Sequence, residues 1–128
     1  MKIIKKIILP IFLTTIWISI SEFFRNELLL KTFWIKHYQD LGISFPSSPI
    51  NGVIWGIWSF LFAVAIFILA KKFTIIQTTF LSWFMGFMMM WVVIGNLNIL
   101  PDAPFLLYVL PLSIFESFIA AWIIKKFI

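Results

Sequence analysis

The sequence predicts an all-α, polytopic membrane protein: a bundle of four transmembrane helices with an additional amphipathic helical segment between the first and second spans. Hydrophobic residues make up 62% of the 128 residues and charged residues only 12%, which is too little charge to cover the surface of a soluble domain. The apolar residues form four continuous runs rather than alternating with polar ones, which favours helices over membrane strands. Lysines cluster at the ends of these runs.

The four predicted spans cover residues 7–24, 50–70, 73–95 and 105–124 of a single domain, 1–128. Each is close to the ~20 residues that a helix needs to cross ~30 Å of hydrocarbon. Ser48 followed by Pro49 is typical of a helix start, here that of the second span. Pro111 lies inside the fourth span and leaves the carbonyl of Leu107 without its helical donor, so we expect a kink there.

The connection between the first two spans contains strong helix formers in RNELLLKTFWIKHYQD. Glu27 and Lys31 form a well-oriented i,i+4 pair, and Trp34 and Tyr38 suit the headgroup region. This segment either continues the first helix or forms a separate interfacial helix, with Gly42 as the expected stop.

The distribution of positive charge predicts the orientation. With the N-terminus in the cytoplasm, the lysines at 2, 5, 6, 71, 72, 125 and 126 lie inside, and only Arg25, Lys31 and Lys36 lie outside. The positive-inside rule therefore predicts a multi-pass protein of the cell inner (plasma) membrane with both termini cytoplasmic. Residues 1–21 also fit a cleavable signal peptide, whose removal would leave three spans with unchanged directions. The apolar character that resumes at Phe23 and Phe24 favours retention.

Small residues predict where the helices approach one another, because lipid gives helices no hydrophobic reason to associate. Gly52 and Gly56 form a GxxxG pair in the second span, and Gly86 lies in the third. In the fourth span, Ser113 and Ser117 are one turn apart. These faces could meet within one bundle or between protomers.

Glu116 lies within an otherwise apolar stretch, SIFESFIAAW. Counting from the inner end of its span places it ~12 Å deep, near mid-bilayer. Thr15 and Ser82 reach the same depth on other spans, and Ser113 and Ser117 flank it on its own helix. No lysine, arginine or histidine reaches that depth by this count. We therefore expect a neutral Glu116 that is hydrogen-bonded to hydroxyl groups.

A second polar group lies near the outer ends of the spans. Glu22, Arg25 and Asn26 share a helical face at i,i+3 and i,i+4 spacing, and Asn51 starts the second span at a similar level. Together with Glu116 these are the candidate binding or proton-coupling residues, with Thr15, Ser82, Ser113 and Ser117 as supporting hydroxyls. In one interpretation they only fix helix packing. In the other they line a cavity whose floor is Glu116.

Other chemistry has little support in the sequence. There is no cysteine and one histidine, His37, and we predict no catalytic residue, no metal site and no cofactor. The net charge of +5 comes from lysines at span ends, so nucleic acid is not an expected partner. The expected partners are the lipid bilayer and either another membrane protein or a second copy of the chain.

The stretch FFRNELLLKTFWIKHYQDLGISFPSSPINGVIWGIWSF resembles in layout small four-span bacterial inner-membrane proteins classed as domains of unknown function. The resemblance implies a polytopic inner-membrane protein without an assigned activity, and it carries over no catalytic residue. A looser comparison is with four-span proton-coupled multidrug exporters, whose membrane-embedded glutamate lies mid-span in the first helix, whereas Glu22 lies near the outer end. The sequence thus predicts a non-enzymatic accessory subunit or binding scaffold. The alternative is a small proton-coupled transporter or small-ligand binder.

Overall fold

The computed structural model describes all residues from Met1 to Ile128 and contains helices but no strands. The helices are α1 (Ile4–Leu29), α2 (Lys31–Asp40), α3 (Pro49–Ala70), α4 (Ile75–Asn96) and α5 (Ala103–Lys125). All except α2 are long and apolar enough to cross a membrane. The prediction of an all-helical bundle with four long apolar helices is confirmed.

Helix α1 extends beyond the predicted span at both ends. Its last segment, Phe24–Leu29, is π-helical, and the amide of Leu30 donates to the carbonyl of Arg25 at 2.8 Å. Leu30 then leaves helical geometry, with φ −111° and ψ 8°, and a separate helix α2 begins. The connection therefore contains both an extension of the first helix and a separate helix. Gly42, at φ +78°, follows the end of α2.

The remaining helix ends follow local sequence signals. Helix α4 begins at a capping box in which the Thr74 hydroxyl accepts from the Gln77 amide and the Gln77 side chain accepts from the Thr74 amide. Two further π-helical segments are Ile4–Ile8, at the start of α1, and Phe84–Met88, in the middle of α4. Helix α5 runs through Pro111 without a break, and the kink expected there stays a prediction.

The core lies where α1 packs against α3 and α5, and α4 packs against α3 and α5. Its buried apolar residues include Ile18, Phe62, Ala63, Ile66, Phe87 and Ala120. Of the five glycines, Gly86 is the most tightly packed, since a Cβ there would lie 2.5 Å from the ring of Phe62. At Gly52 and Gly56 a Cβ would meet no atom within 4 Å. The GxxxG pair thus makes no close packing contact within the chain.

Large apolar side chains also cover the outside of the bundle. Phe12, Ile57, Val92 and Leu107 are each more than half exposed. A soluble monomer rarely exposes apolar surface on this scale, whereas lipid accommodates it. Together with the four long apolar helices, this surface indicates a multi-pass membrane protein.

Candidate functional site

A buried ionic cluster joins α1 to α5. Arg25 donates from Nη2 to Oε1 of Glu22 at 2.6 Å and from Nη1 to Oε1 of Glu116 at 3.3 Å. The side chains of Arg25, Glu22 and Glu116 are only 5%, 4% and 0% exposed. We call these three residues the ionic cluster. Because one guanidinium contacts carboxylates from two helices, the cluster fixes how α1 and α5 lie against each other.

The ionic cluster continues towards the connection through neutral groups. Asn26 donates from its side-chain amide to Oε2 of Glu22 at 3.0 Å. The indole N–H of Trp34, on α2, donates to Oδ1 of Asn26 at 3.1 Å. Both oxygens of Glu22 are therefore hydrogen-bonded, and α2 is tied to the ionic cluster through Asn26.

The prediction that hydroxyl groups of Thr15 and Ser82 bond to Glu116 was wrong. The hydroxyl of Thr15 donates to the carbonyl of Ile11 at 2.7 Å, and that of Ser82 donates to the carbonyl of Thr79 at 3.1 Å. Neither hydroxyl bonds to Glu116, whose partner is the cation that the depth count had excluded.

The direction of side chains explains this correction. A helical side chain leans towards the N-terminus of its own helix. The end of α1 lies near the start of α5, as the cavity that Arg25 lines together with Phe105 and Val109 shows. The Arg25 side chain therefore leans back along α1, away from the end of that helix. The Glu116 side chain leans towards the start of α5, and so the two side chains meet. Counting Cα heights alone overestimates the gap between two such side chains.

Other hydrogen bonds place the two flanking serines. Ser113 accepts from the indole N–H of Trp83 at 2.9 Å and donates to the carbonyl of Val109 at 2.6 Å. The buried hydroxyl of Ser117 has no hydrogen-bond partner. Trp17 donates from its indole to the backbone carbonyl of Glu116 at 2.9 Å. Ser113 thus links α4 to α5, and no hydrogen bond joins either serine to the ionic cluster.

A cavity of about 360 Å³ opens next to the ionic cluster, and we call it the aromatic cavity. Its polar lining includes Glu22, Arg25, Asn26 and Asn51. Glu116 does not line it, and lies behind Arg25. The four candidate residues from α1 and the start of α3 therefore line one cavity. Glu116, the fifth candidate, is connected to that cavity only through its bond to Arg25.

Eight aromatic side chains form much of the remaining wall. Four belong to the connection and the start of α5, and we call them the connection cluster: Trp34, Tyr38, Phe45 and Phe105. Four belong to α3 and α4, and we call them the span cluster: Trp55, Trp58, Phe87 and Trp91. The sequence predicted a headgroup position for Trp34 and Tyr38, and it gave no sign that the other six aromatic residues belong to a site.

Ring packing within each cluster is mainly edge-to-face. In the connection cluster, the Trp34 and Phe105 rings are 4.9 Å apart at 79°. In the span cluster, the rings of Trp58 and Phe87 are 5.7 Å apart at 66°. The guanidinium carbon of Arg25 lies 5.2 Å from the centre of the Phe87 ring, within the range of a cation–π interaction. The span cluster therefore supports the ionic cluster directly.

A second cavity, of about 420 Å³, is lined by residues of α1 and α3, including Glu22, and we call it the polar cavity. It shares Glu22, Asn26 and Asn51 with the aromatic cavity. Gly52, Gly56 and the serines at 19, 47, 48 and 59 also line it. Glycines have no side chain to fill this space, so the GxxxG pair forms part of a cavity wall.

One buried polar atom of the ionic cluster has no hydrogen-bond partner. It is Oε2 of Glu116, in a side chain that is fully buried. Such an atom is rare in folded proteins because leaving it unpaired costs free energy. The two carboxyl groups also face one guanidinium, so the ionic cluster is neutral only when one of them carries a proton. The arrangement is thus suited to holding and releasing a proton beside a cavity.

In comparisons with known proteins, no family model, no curated protein and no solved structure matches the chain.

Proposed function

We propose that this chain is a multi-pass protein of the bacterial inner membrane, with both termini cytoplasmic, that binds a small molecule in the aromatic cavity and exchanges a proton at the ionic cluster. The observation that carries the proposal is the position of Glu22 and Arg25. They are almost fully buried, yet they line a cavity of about 360 Å³. An ionic pair that serves packing alone needs no cavity beside it.

The aromatic lining supports the same function. Small-molecule sites are concave, mostly apolar, and contain a few polar groups that orient the ligand. Thirteen of the 19 lining residues are hydrophobic. The charged and amide side chains in the lining are Glu22, Arg25, Asn26, Glu27 and Asn51, and hydrogen bonds join the first three. We place α2 at the periplasmic surface of the inner membrane, where Trp34 and Tyr38 close one side of the aromatic cavity.

Native mass spectrometry of protein released from mild detergent tests for a bound small molecule. Ile94→Trp should fill part of the aromatic cavity, which Ile94 lines. Val92→Trp, on the same helix but 67% exposed, is the matched control. We expect wild type and Val92→Trp to retain a small molecule that Ile94→Trp loses. Equal retention in all three would place the ligand elsewhere.

Infrared spectroscopy tests the proton. If the ionic cluster holds one proton at neutral pH, wild type shows the carbonyl stretch of a protonated carboxyl group, and Glu116→Gln changes or removes it. Glu27→Gln is the control, because Glu27 is partly exposed and pairs with Lys31 at 3.5 Å. Absence of a protonated carboxyl group in wild type would refute the proton-exchange part of the proposal.

An accessory subunit or scaffold is the second candidate, and one observation favours it. Gly52 and Gly56 make no close packing contact within the chain, and such a face admits the backbone of another helix. That helix would belong to another membrane protein or to a second copy, and it would cover the polar cavity. Co-purification of a stoichiometric protein that is lost in Gly56→Leu, with no small molecule bound to wild type, would favour this candidate.

A further inference from the structure

We infer that the ligand of the aromatic cavity is an organic cation with an apolar body. This inference rests on the proposed function, since it names the class of molecule that the cavity binds. Two separate features carry it: the charges near the cavity and the tryptophans that line it.

The charges near the cavity are unbalanced towards the negative. Glu22, Arg25 and Glu27 line the cavity, and Glu116 bonds to Arg25 from behind. Helices α3 and α4 contain no charged residue at all. Lys31 partly compensates Glu27 from the surface. With its proton released, the ionic cluster therefore carries one net negative charge in a site that is largely shielded from water.

The guanidinium of Arg25 is poorly placed to receive an anion. Both terminal nitrogens donate to carboxylates, at 2.6 Å and 3.3 Å, and one face lies over the ring of Phe87. An anionic ligand would approach a guanidinium that two carboxyl groups already contact, and it would add a further negative charge beside them. Such repulsion between like charges is strong where water is largely excluded. A cationic ligand leaves both bonds of Arg25 in place and supplies the positive charge that the ionic cluster lacks once its proton is released.

The aromatic walls supply the second part of the argument. Tryptophan offers the best ring face for a cation, and the attraction grows when water is excluded. Four of the lining residues are tryptophans: Trp34, Trp55, Trp58 and Trp91. The Trp34 ring is held by its hydrogen bond to Asn26 and by Phe105, so it is positioned before a ligand arrives. The rings can pack around both the charge and the apolar body.

Three probes of similar size test the inference: benzyltrimethylammonium, its uncharged carbon analogue neopentylbenzene, and the anion phenylmethanesulfonate. Binding to the full chain in detergent is measured by tryptophan fluorescence and checked by native mass spectrometry. We expect the cation to bind at least 10-fold more tightly than either other probe, equivalent to about 1.4 kcal/mol. Ile94→Trp should abolish saturable binding, whereas Val92→Trp should leave it unchanged.

The outcomes separate the inference from the function on which it rests. If the neutral or anionic probe binds as tightly as the cation, and Ile94→Trp still abolishes binding, the cavity binds small molecules and the cation inference is wrong. If no probe binds saturably to folded wild type, both are overturned. Glu22→Gln gives a further check: it should weaken the cation at least 10-fold and leave the neutral probe within about 2-fold, the contrast expected if a buried charge contributes mainly to the cation.

Discussion

Replacing Arg25 with methionine should destabilise the fold more than any change at an exposed charge. Met keeps much of the side-chain length and apolar volume but removes both bonds of the guanidinium, to Glu22 at 2.6 Å and to Glu116 at 3.3 Å. Asn26 still donates to Glu22, whereas Glu116 keeps no side-chain partner. Removing one partner of a buried ion pair costs about 3–5 kcal/mol, and we expect a loss in that range for Arg25→Met at neutral pH.

Glu116→Gln should cost much less, although Glu116 is the more buried residue. Gln keeps the volume and one acceptor oxygen for Arg25, and Glu22 still neutralises the guanidinium. The change replaces a carboxyl acceptor with an amide oxygen that still accepts from the charged guanidinium, a difference of about 1 kcal/mol. Arg25→Met removes the guanidinium from two carboxyl groups, whereas in the double variant, which combines Arg25→Met with Glu116→Gln, only the carboxyl group of Glu22 loses it. The combined loss should therefore fall short of the sum by about 1–3 kcal/mol.

Steric trapping in bicelles measures the free energy of unfolding for these variants. Lys31→Met is the matched control, since it also removes a cation from a carboxylate on neighbouring turns. Nζ of Lys31 lies 3.5 Å from Oε2 of Glu27, and the two side chains are 45% and 34% exposed. We therefore expect Lys31→Met to lower the free energy of unfolding by about 0.5 kcal/mol or less. If Arg25→Met costs no more than Lys31→Met, the ionic cluster does not stabilise the contact between α1 and α5, and the reasoning fails.

Three further predictions concern packing and orientation. Gly86→Ala should destabilise the fold by about 1–3 kcal/mol because the added Cβ would overlap the Phe62 ring. Gly52→Ala is the control: it has open space around it and should leave the free energy of unfolding unchanged or slightly raised. Steric trapping of both variants measures the difference. Trp17→Phe removes the donor to the Glu116 carbonyl and should cost about 1 kcal/mol in the same assay. Reporter fusions at either terminus should be active only in the cytoplasm, and a periplasmic C-terminus would contradict the proposed orientation.

Much of the fold could be predicted because it depends on composition along the chain. Continuous apolar runs identify spans, and Pro49 marks a helix start to the residue. The end of α1 was harder, since Glu22, Arg25 and Asn26 look like residues that end a span in water. In the structure they continue the helix because they bond to one another and to α5.

The site could be predicted only where its members are close in sequence. The pairing of Glu22 with Arg25 follows from i,i+3 spacing and is found at 2.6 Å. The bond from Arg25 to Glu116 spans 91 positions and depends on which helices are neighbours and how their side chains lean. The aromatic cavity combines rings from α2, α3, α4 and α5, and no local pattern connects them. A count of Cα heights that included side-chain direction could have found the Arg25–Glu116 contact.

The strongest reason to assign a function to the ionic cluster is that stability alone does not require it. Replacing a buried ionic triad with apolar residues of similar volume is often neutral or stabilising by about 1–4 kcal/mol. We therefore expect the triple variant Glu22→Met, Arg25→Met, Glu116→Met to unfold with a free energy at least equal to that of Arg25→Met, and close to that of wild type. If the triple variant is stable but no longer binds benzyltrimethylammonium, the cluster serves binding. If it binds the cation as wild type does, the cluster only fixes the register of α1 against α5.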